Sequence, residues 1–118
     1  MLCEIMKPDF QNFDNRGVLV QLVSQGYSQV NYIFSKEGCV RGGHYHHINT
    51  EAFYVIRGEV NLTLAHGAKK EKHTFQTGDM FKIPPGVKHT FYYIKHTELI
   101  SLYDGGIEFV NGEKDFYC

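Results

Sequence analysis

The sequence predicts an all-β protein, a sandwich or barrel built as a single domain. Three observations carry that prediction. Short segments rich in Val, Ile, Phe and Tyr recur along the chain, several of them alternating in polarity with period two. Glycine- and proline-containing groups punctuate them, and no segment sustains a helical repeat. The 118 residues contain no internal repeat, low-complexity run or linker, which suits one core spanning residues 1–118.

In chain order the expected strands are Gly17–Val23, Gln29–Ser35, Ala52–Arg57, Val60–Ala65, Lys72–Gln76, Met80–Ile83, Thr90–Ile94 and Leu99–Tyr103. The expected turns are Lys36-Glu37-Gly38, Arg41-Gly42-Gly43, Arg57-Gly58-Glu59, His66-Gly67-Ala68, Thr77-Gly78-Asp79 and Pro84-Pro85-Gly86. Glycine supplies the positive φ that tight turns need, and proline presets φ where a turn begins.

Twelve Lys and Arg stand against thirteen Asp and Glu, so no net field favours nucleic acid or an anionic membrane. The apolar runs are short and the start, MLCEIMKPDF, lacks the layout of a signal peptide, so the expected location is cytoplasmic. Cys3, Cys39 and Cys118 are odd in number and widely spaced, which gives neither a disulfide framework nor a zinc-finger pattern.

Two places concentrate chemistry. In GGHYHHINTEAFYVIRG, His44 and His46 are one residue apart, so on a strand they share a face, and Glu51 follows after four residues. In GDMFKIPPGVKH, the Pro84-Pro85-Gly86 turn leads to His89. Three imidazoles and a carboxylate converging inside a barrel suit a divalent transition metal such as Zn, Fe, Mn or Ni, with positions left for water or substrate. A metal-free pocket using the same histidines as acids, bases or donors is the other reading. His66, His73 and His96 read as structural or surface histidines, and His47, of opposite parity to His46, is expected to face away.

These residues resemble the two motifs of the cupin superfamily. The first, G-x5-H-x-H-x3-4-E-x6-G, fits to Gly58 with Gly38 at the leading offset, its body over about 42–58. The second, G-x5-P-x-G-x2-H-x3-N, fits over 78–93 with Tyr93 in place of the asparagine. The resemblance implies a double-stranded β-helix, or jelly-roll barrel, with His44, His46, Glu51 and His89 as metal ligands.

A further likeness narrows the activity. Asp14-Asn15-Arg16-Gly17 and Arg41-Gly42-Gly43-His44-Tyr45 resemble the D-x-R-G and R-G-x-H-Y patterns of dTDP-4-dehydrorhamnose 3,5-epimerases. The stretch VNYIFSKEGCVRGGHYHH is similar to the cupin domain of capsular-polysaccharide enzymes that epimerise and reduce nucleotide-linked keto-sugars. The resemblance implies Arg41 and Arg16 as substrate-binding residues and His44 as a general base, with His46 replacing the glutamine of the metal-free epimerases. If His44 is instead a ligand, Tyr93, and after it Lys82, is the candidate base.

The implied function is an epimerase or isomerase on a nucleotide-linked 4-keto-6-deoxy sugar in surface-polysaccharide biosynthesis. An iron-dependent dioxygenase acting on a chelating substrate and a non-catalytic sugar-binding cupin are the alternatives. A homodimer is expected, formed through a sheet edge or the apolar start Met1–Met6, and the resemblance to the epimerases implies Arg16 acting across the interface.

Overall fold

The computed structural model describes residues 1–108 and 111–118 and shows an all-antiparallel β architecture, with no helix among the described residues. Its strands are β1 (Glu4–Met6), β2 (Phe10–Asp14), β3 (Gly17–Gln21), β4 (Gln29–Ser35), β5 (Val40–His44), β6 (Glu51–Arg57), β7 (Glu59–His66), β8 (Lys69–Gln76), β9 (Met80–Ile83), β10 (Lys88–Tyr93) and β11 (Thr97–Tyr103). A five-stranded sheet, β1-β9-β6-β11-β4, faces a four-stranded sheet, β5-β10-β7-β8. β2 and β3 form a separate two-stranded ribbon that pairs with neither.

Period-two alternation builds the inner faces. On β7, Val60, Leu62 and Leu64 are fully buried while Asn61 and Thr63 face solvent. On β10, His89, Phe91 and Tyr93 point inward together. Phenylalanines fill the space between the sheets: Phe75 stacks on Phe81 at 3.9 Å, and Phe53 lies 5.2 Å from Phe81 and 5.0 Å from Phe91. Truncating one such ring would cost about 3–5 kcal/mol, so this apolar end of the barrel is what lets the other end carry polar groups.

β4 and β9 keep the bounds expected of them, and β6, β7, β8, β10 and β11 differ from expectation only at their ends. Three strands were not expected. β1 and β2 lack a repeated β-branched pattern, and β5 lay hidden under glycines.

Arg41-Gly42-Gly43 is not a turn. It lies within β5, where the pairing to β10 shifts between His89 and Thr90: His44 faces His89, and Gly42 already faces Thr90. Gly43 is therefore the extra residue of a β-bulge. The backbones approach so closely there that a Cβ on Gly42 would sit 2.5 Å from the His89 carbonyl oxygen, and φ at Gly42 is +121°. Only glycine fits that position.

The apolar start is divided between core and surface. Leu2 and Cys3 are buried in the chain's own core, while β1 pairs with β9 as the outer strand of its sheet, with Met1 and Ile5 exposed. Exposed apolar side chains also lie on the ribbon, where Phe13 is 73% and Leu19 59% accessible, and on the edge strand β4, at Val30, Tyr32 and Phe34.

Candidate functional site

Both motifs deliver their side chains to one end of the barrel. β5 closes on His44, the chain passes through Tyr45 to His46, and Glu51 opens β6. His89 sits on β10 directly opposite His44. Donor nitrogens of His44, His46 and His89 all lie within 4.8 Å of one another. The Glu51 Oε1 atom is 3.0 Å from His46 Nε2 and 3.6 Å from His89 Nε2. His46, Glu51 and His89 are buried, and His44 is half-buried at the mouth.

The outer nitrogens of two rings are already committed. His46 Nδ1 lies 2.6 Å from the carbonyl oxygen of Asp115, and His89 Nδ1 lies 3.2 Å from that of Val87. A carbonyl only accepts, so each Nδ1 carries the proton. Both Nε2 atoms, when the rings are neutral, are bare lone pairs aimed at Glu51 Oε1, itself an acceptor. His89 Nε2 has no hydrogen-bond partner among the described residues. Three buried electron-pair donors facing one point call for a cation between them, either a proton or a metal. The donor set, two imidazoles and a carboxylate with a third imidazole beside them, fits a divalent transition metal.

The electrostatics agree with that arrangement. Burial pushes His89 down to about 4, only partly opposed by the Glu51 carboxylate. Burial likewise holds His44 below the ordinary histidine value, helped by its neighbour His46. For His46 burial acts in the same sense, but hydrogen bonds to Glu51 and to the Asp115 carbonyl outweigh it and leave the pKa raised. Ser101 Oγ donates to the second oxygen of Glu51 and fixes the carboxylate from behind.

A cavity of about 150 Å³ opens over these groups. His44, Glu51 and His89 form its polar part, Phe53, Phe91, Tyr103 and Phe116 its aromatic wall, and Arg41 and Tyr93 its far side. Arg41 is held by its Nε–H donating to Ser35 Oγ at 2.7 Å and its guanidinium donating to the Phe34 carbonyl at 3.1 Å. Arg41 and His44 are three residues apart, so a regular strand would place them on opposite faces. The bulge at Gly43 brings both inward.

A family model for the polysaccharide biosynthesis C-terminal domain matches residues 12–117. The chain belongs to that family. Within this polysaccharide-biosynthesis domain, a stretch of 46 residues is 44% identical to a Pseudomonas aeruginosa UDP-2-acetamido-2,6-beta-L-arabino-hexul-4-ose reductase. That stretch covers 38% of the chain and only 12% of the reductase. Among solved structures, the domain is similar to QdtA, a sugar 3,4-ketoisomerase from Thermoanaerobacterium thermosaccharolyticum in complex with TDP, at TM-score 0.80 and 17% identity over 98% of this chain and 86% of that one. It is similar at the same TM-score to the TDP-quinovose 3,4-ketoisomerase WlaRB of Campylobacter jejuni, with 20% identity over 96% and 92%. The dTDP-4-dehydrorhamnose 3,5-epimerase of Sulfolobus tokodaii matches at TM-score 0.71 and 20% identity, over 87% of this chain and 75% of that one. The fold is thus that of the cupin epimerases and ketoisomerases.

Two residues expected at the site lie elsewhere in the domain. Lys82 pairs with Glu4 at 2.9 Å beside a separate groove, because its strand neighbours Phe81 and Ile83 take the inward positions. Arg16 sits at the exposed end of the ribbon, bound to Asp14 at 2.7 Å, and does not line the histidine cavity of its own chain. Tyr93 does line the cavity; burial, opposed by its bond to Ser35 and by Arg41, raises its pKa. His47 is exposed, as its parity required.

The sequence reading missed Ser101, Tyr103, Asp115 and Phe116. Ser101 and Tyr103 had a signal, since they share the inward parity of Leu99 on β11. Asp115 and Phe116 had none: they lie outside any strand, 66 or more residues from the loop that Asp115 contacts.

Proposed function

We propose that this domain is an isomerase or epimerase acting on a nucleotide-linked 4-keto-6-deoxy sugar, with a divalent transition metal held by His46, Glu51 and His89. The carrying observation is the convergence of two buried Nε2 lone pairs and Glu51 Oε1 on one point, in a cavity that also holds His44, Tyr93 and Arg41. The TDP-bound QdtA and the UDP-sugar reductase matched by sequence support a nucleoside diphosphate as the handle of the substrate.

Isomerisation or epimerisation beside a ketone needs a base for the carbon-bound proton and a partner for the enolate oxygen. With Lys82 outside the cavity and Tyr93 holding its proton at neutral pH, His44 is the base. Its ring is neutral near pH 7 and half-buried at the mouth, where burial outweighs a backbone hydrogen bond with Gly42. The Tyr93 hydroxyl suits proton donation toward a developing oxyanion. Arg41 faces the cavity with its guanidinium braced, suited to a phosphate oxygen. When bound, the metal supplies Lewis acidity at the ketone oxygen.

The same reading includes a cytoplasmic homodimer. Among the described residues no helix is long and apolar enough to cross a membrane. The β2–β3 ribbon, bonded to neither sheet and bearing the exposed, directly opposed Phe13 and Val18 on one face, is the surface a second copy would cover, carrying Arg16 with it.

Incubation with a panel of TDP- and UDP-4-keto-6-deoxyhexoses in heavy water tests the reading. Deuterium at a carbon flanking the ketone, with a new isomer, is the expected result. Absence of both across the panel overturns it. Iron in the purified protein, with oxygen consumption on adding a chelating substrate, would instead select the dioxygenase.

A further inference from the structure

The segment from Asp115 to Tyr117 is bonded along its length to the loop that carries His46. Tyr45 and Tyr117 exchange backbone hydrogen bonds at 2.8 and 3.0 Å. The Asp115 carboxylate accepts three successive amides, from His47 at 2.7 Å, Ile48 at 3.0 Å and Asn49 at 2.8 Å. It also accepts the Asn49 side-chain amide at 2.9 Å. The same residue's carbonyl takes the Nδ1–H of His46 at 2.6 Å. Asp115 is fully buried, and among the described residues its carboxylate is held by backbone and amide N–H groups with no ion pair. From the opposite side the Gly86 amide donates to the His46 carbonyl at 2.7 Å. His46 is thus gripped at its backbone by the second motif and at its ring by the tail.

We propose that Asp115 is a positioning residue: its carboxylate fastens loop 47–49 so that its carbonyl holds His46 in the Nδ1–H tautomer, presenting Nε2 to Glu51. Phe116, next in the chain, stacks on the His44 ring at 4.3 Å and 29°, so one short segment sets the attitude of two histidines. A carbonyl behind a ligating imidazole fixes ring orientation and tautomer, and loss of such an outer partner typically costs metal affinity about 10- to 100-fold. An orienting role explains why a carboxylate, rather than an apolar side chain, is buried at this point. The metal-affinity part of the proposal rests on the metal reading above; the tautomer part does not.

The experiment compares the unaltered protein with Asp115→Asn, Asp115→Ala and the core variant Phe75→Leu. Three quantities are read for each: the thermal midpoint, zinc affinity by competition with a chromophoric chelator, and exchange protection of the His46 Nδ1–H in the metal-free protein by nitrogen-15 NMR. The unaltered protein is expected to show a protected Nδ1–H. The Asp115 variants are expected to lose that protection and to bind zinc about 10- to 100-fold more weakly. Phe75→Leu should keep both at a comparable loss of midpoint. Equal losses in Phe75→Leu, or full retention in Asp115→Asn, would overturn the proposal. So would an unprotected Nδ1–H in the unaltered protein, a measurement that needs no variant to fold. If the unaltered protein binds no zinc, the metal reading fails, and the Nδ1–H protection alone decides the role of Asp115.

Discussion

His46 Nε2 and Glu51 Oε1 lie 3.0 Å apart, while the other nitrogen of the same ring donates to the Asp115 carbonyl. In the neutral ring this sets lone pair against lone pair in a buried place. The contact is therefore a demand for positive charge at His46, and among the described residues His44 makes no ion pair with Glu51.

His46→Ala, Glu51→Gln and His89→Ala should each weaken zinc binding by at least the 10- to 100-fold that loss of an outer partner costs. His44→Ala should retain metal within about 10-fold and lose deuterium exchange into substrate. Calorimetric titration beside the exchange assay checks the split. Loss of metal in His44→Ala as severe as in the other three would make His44 a ligand.

Stability of the metal-free protein should peak near pH 6.5. His89 has a folded pKa of about 4, below its unfolded value, so the folded state loses stability as pH falls from 6.5 toward 4. The full span corresponds to about 3 kcal/mol. His46 is shifted upward, so its contribution is complete below the unfolded value and is lost as pH rises through the folded one. Urea midpoints of chelator-treated protein from pH 4 to 9 should trace both limbs, and His89→Gln should flatten the acid one.

Arg41→Met should raise KM for the nucleotide sugar by about 10-fold or more and change kcat less, as expected for lost charge-assisted bonds at a remote phosphate. Arg41→Lys should recover part of the binding, since it keeps the charge and loses the fork. Steady-state kinetics on the active sugar would show an equal fall in kcat if Arg41 instead touched the reacting carbon.

Gly42→Ala should destabilise by about 2 kcal/mol or more, because a Cβ there meets the His89 carbonyl and φ is positive. Gly43→Ala has open space around its Cβ and φ of +75°, so it should cost only the conformational strain, about 1 kcal/mol. Chemical denaturation of the two variants would show equal losses if close approach were unimportant.

The double variant Phe13→Glu with Val18→Glu should convert a dimer to a monomer without disturbing the barrel, since both side chains are exposed on one face of the ribbon. Sedimentation velocity would find no change if the dimer formed elsewhere.

The barrel was legible where alternation was clean. Gln29–Ser35 and Met80–Ile83 match their strands because β-branched and aromatic residues recur at period two between turn residues. The four motif side chains were legible from parity and spacing, as was the outward aim of His47. Lys82 was legible too, had the parity of Phe81 and Ile83 been carried one residue further. β5 was hidden because its glycines serve a bulge and read as a turn. Asp115 was hidden for a different reason. Its meaning lies in three amides 66 to 68 residues away, a relation made by chain reversal and not by any local pattern.

Gly43 has a consequence beyond geometry. It works as a parity switch: one small residue decides whether Arg41 and His44 serve the same chamber. Deleting it would restore regular alternation to β5 and turn either Arg41 or His44 toward the outside, while the core side chains of β6, β7 and β10 kept their places. Relatives that share this wall but differ by one glycine at this point would then be expected to share the architecture and differ in chemistry.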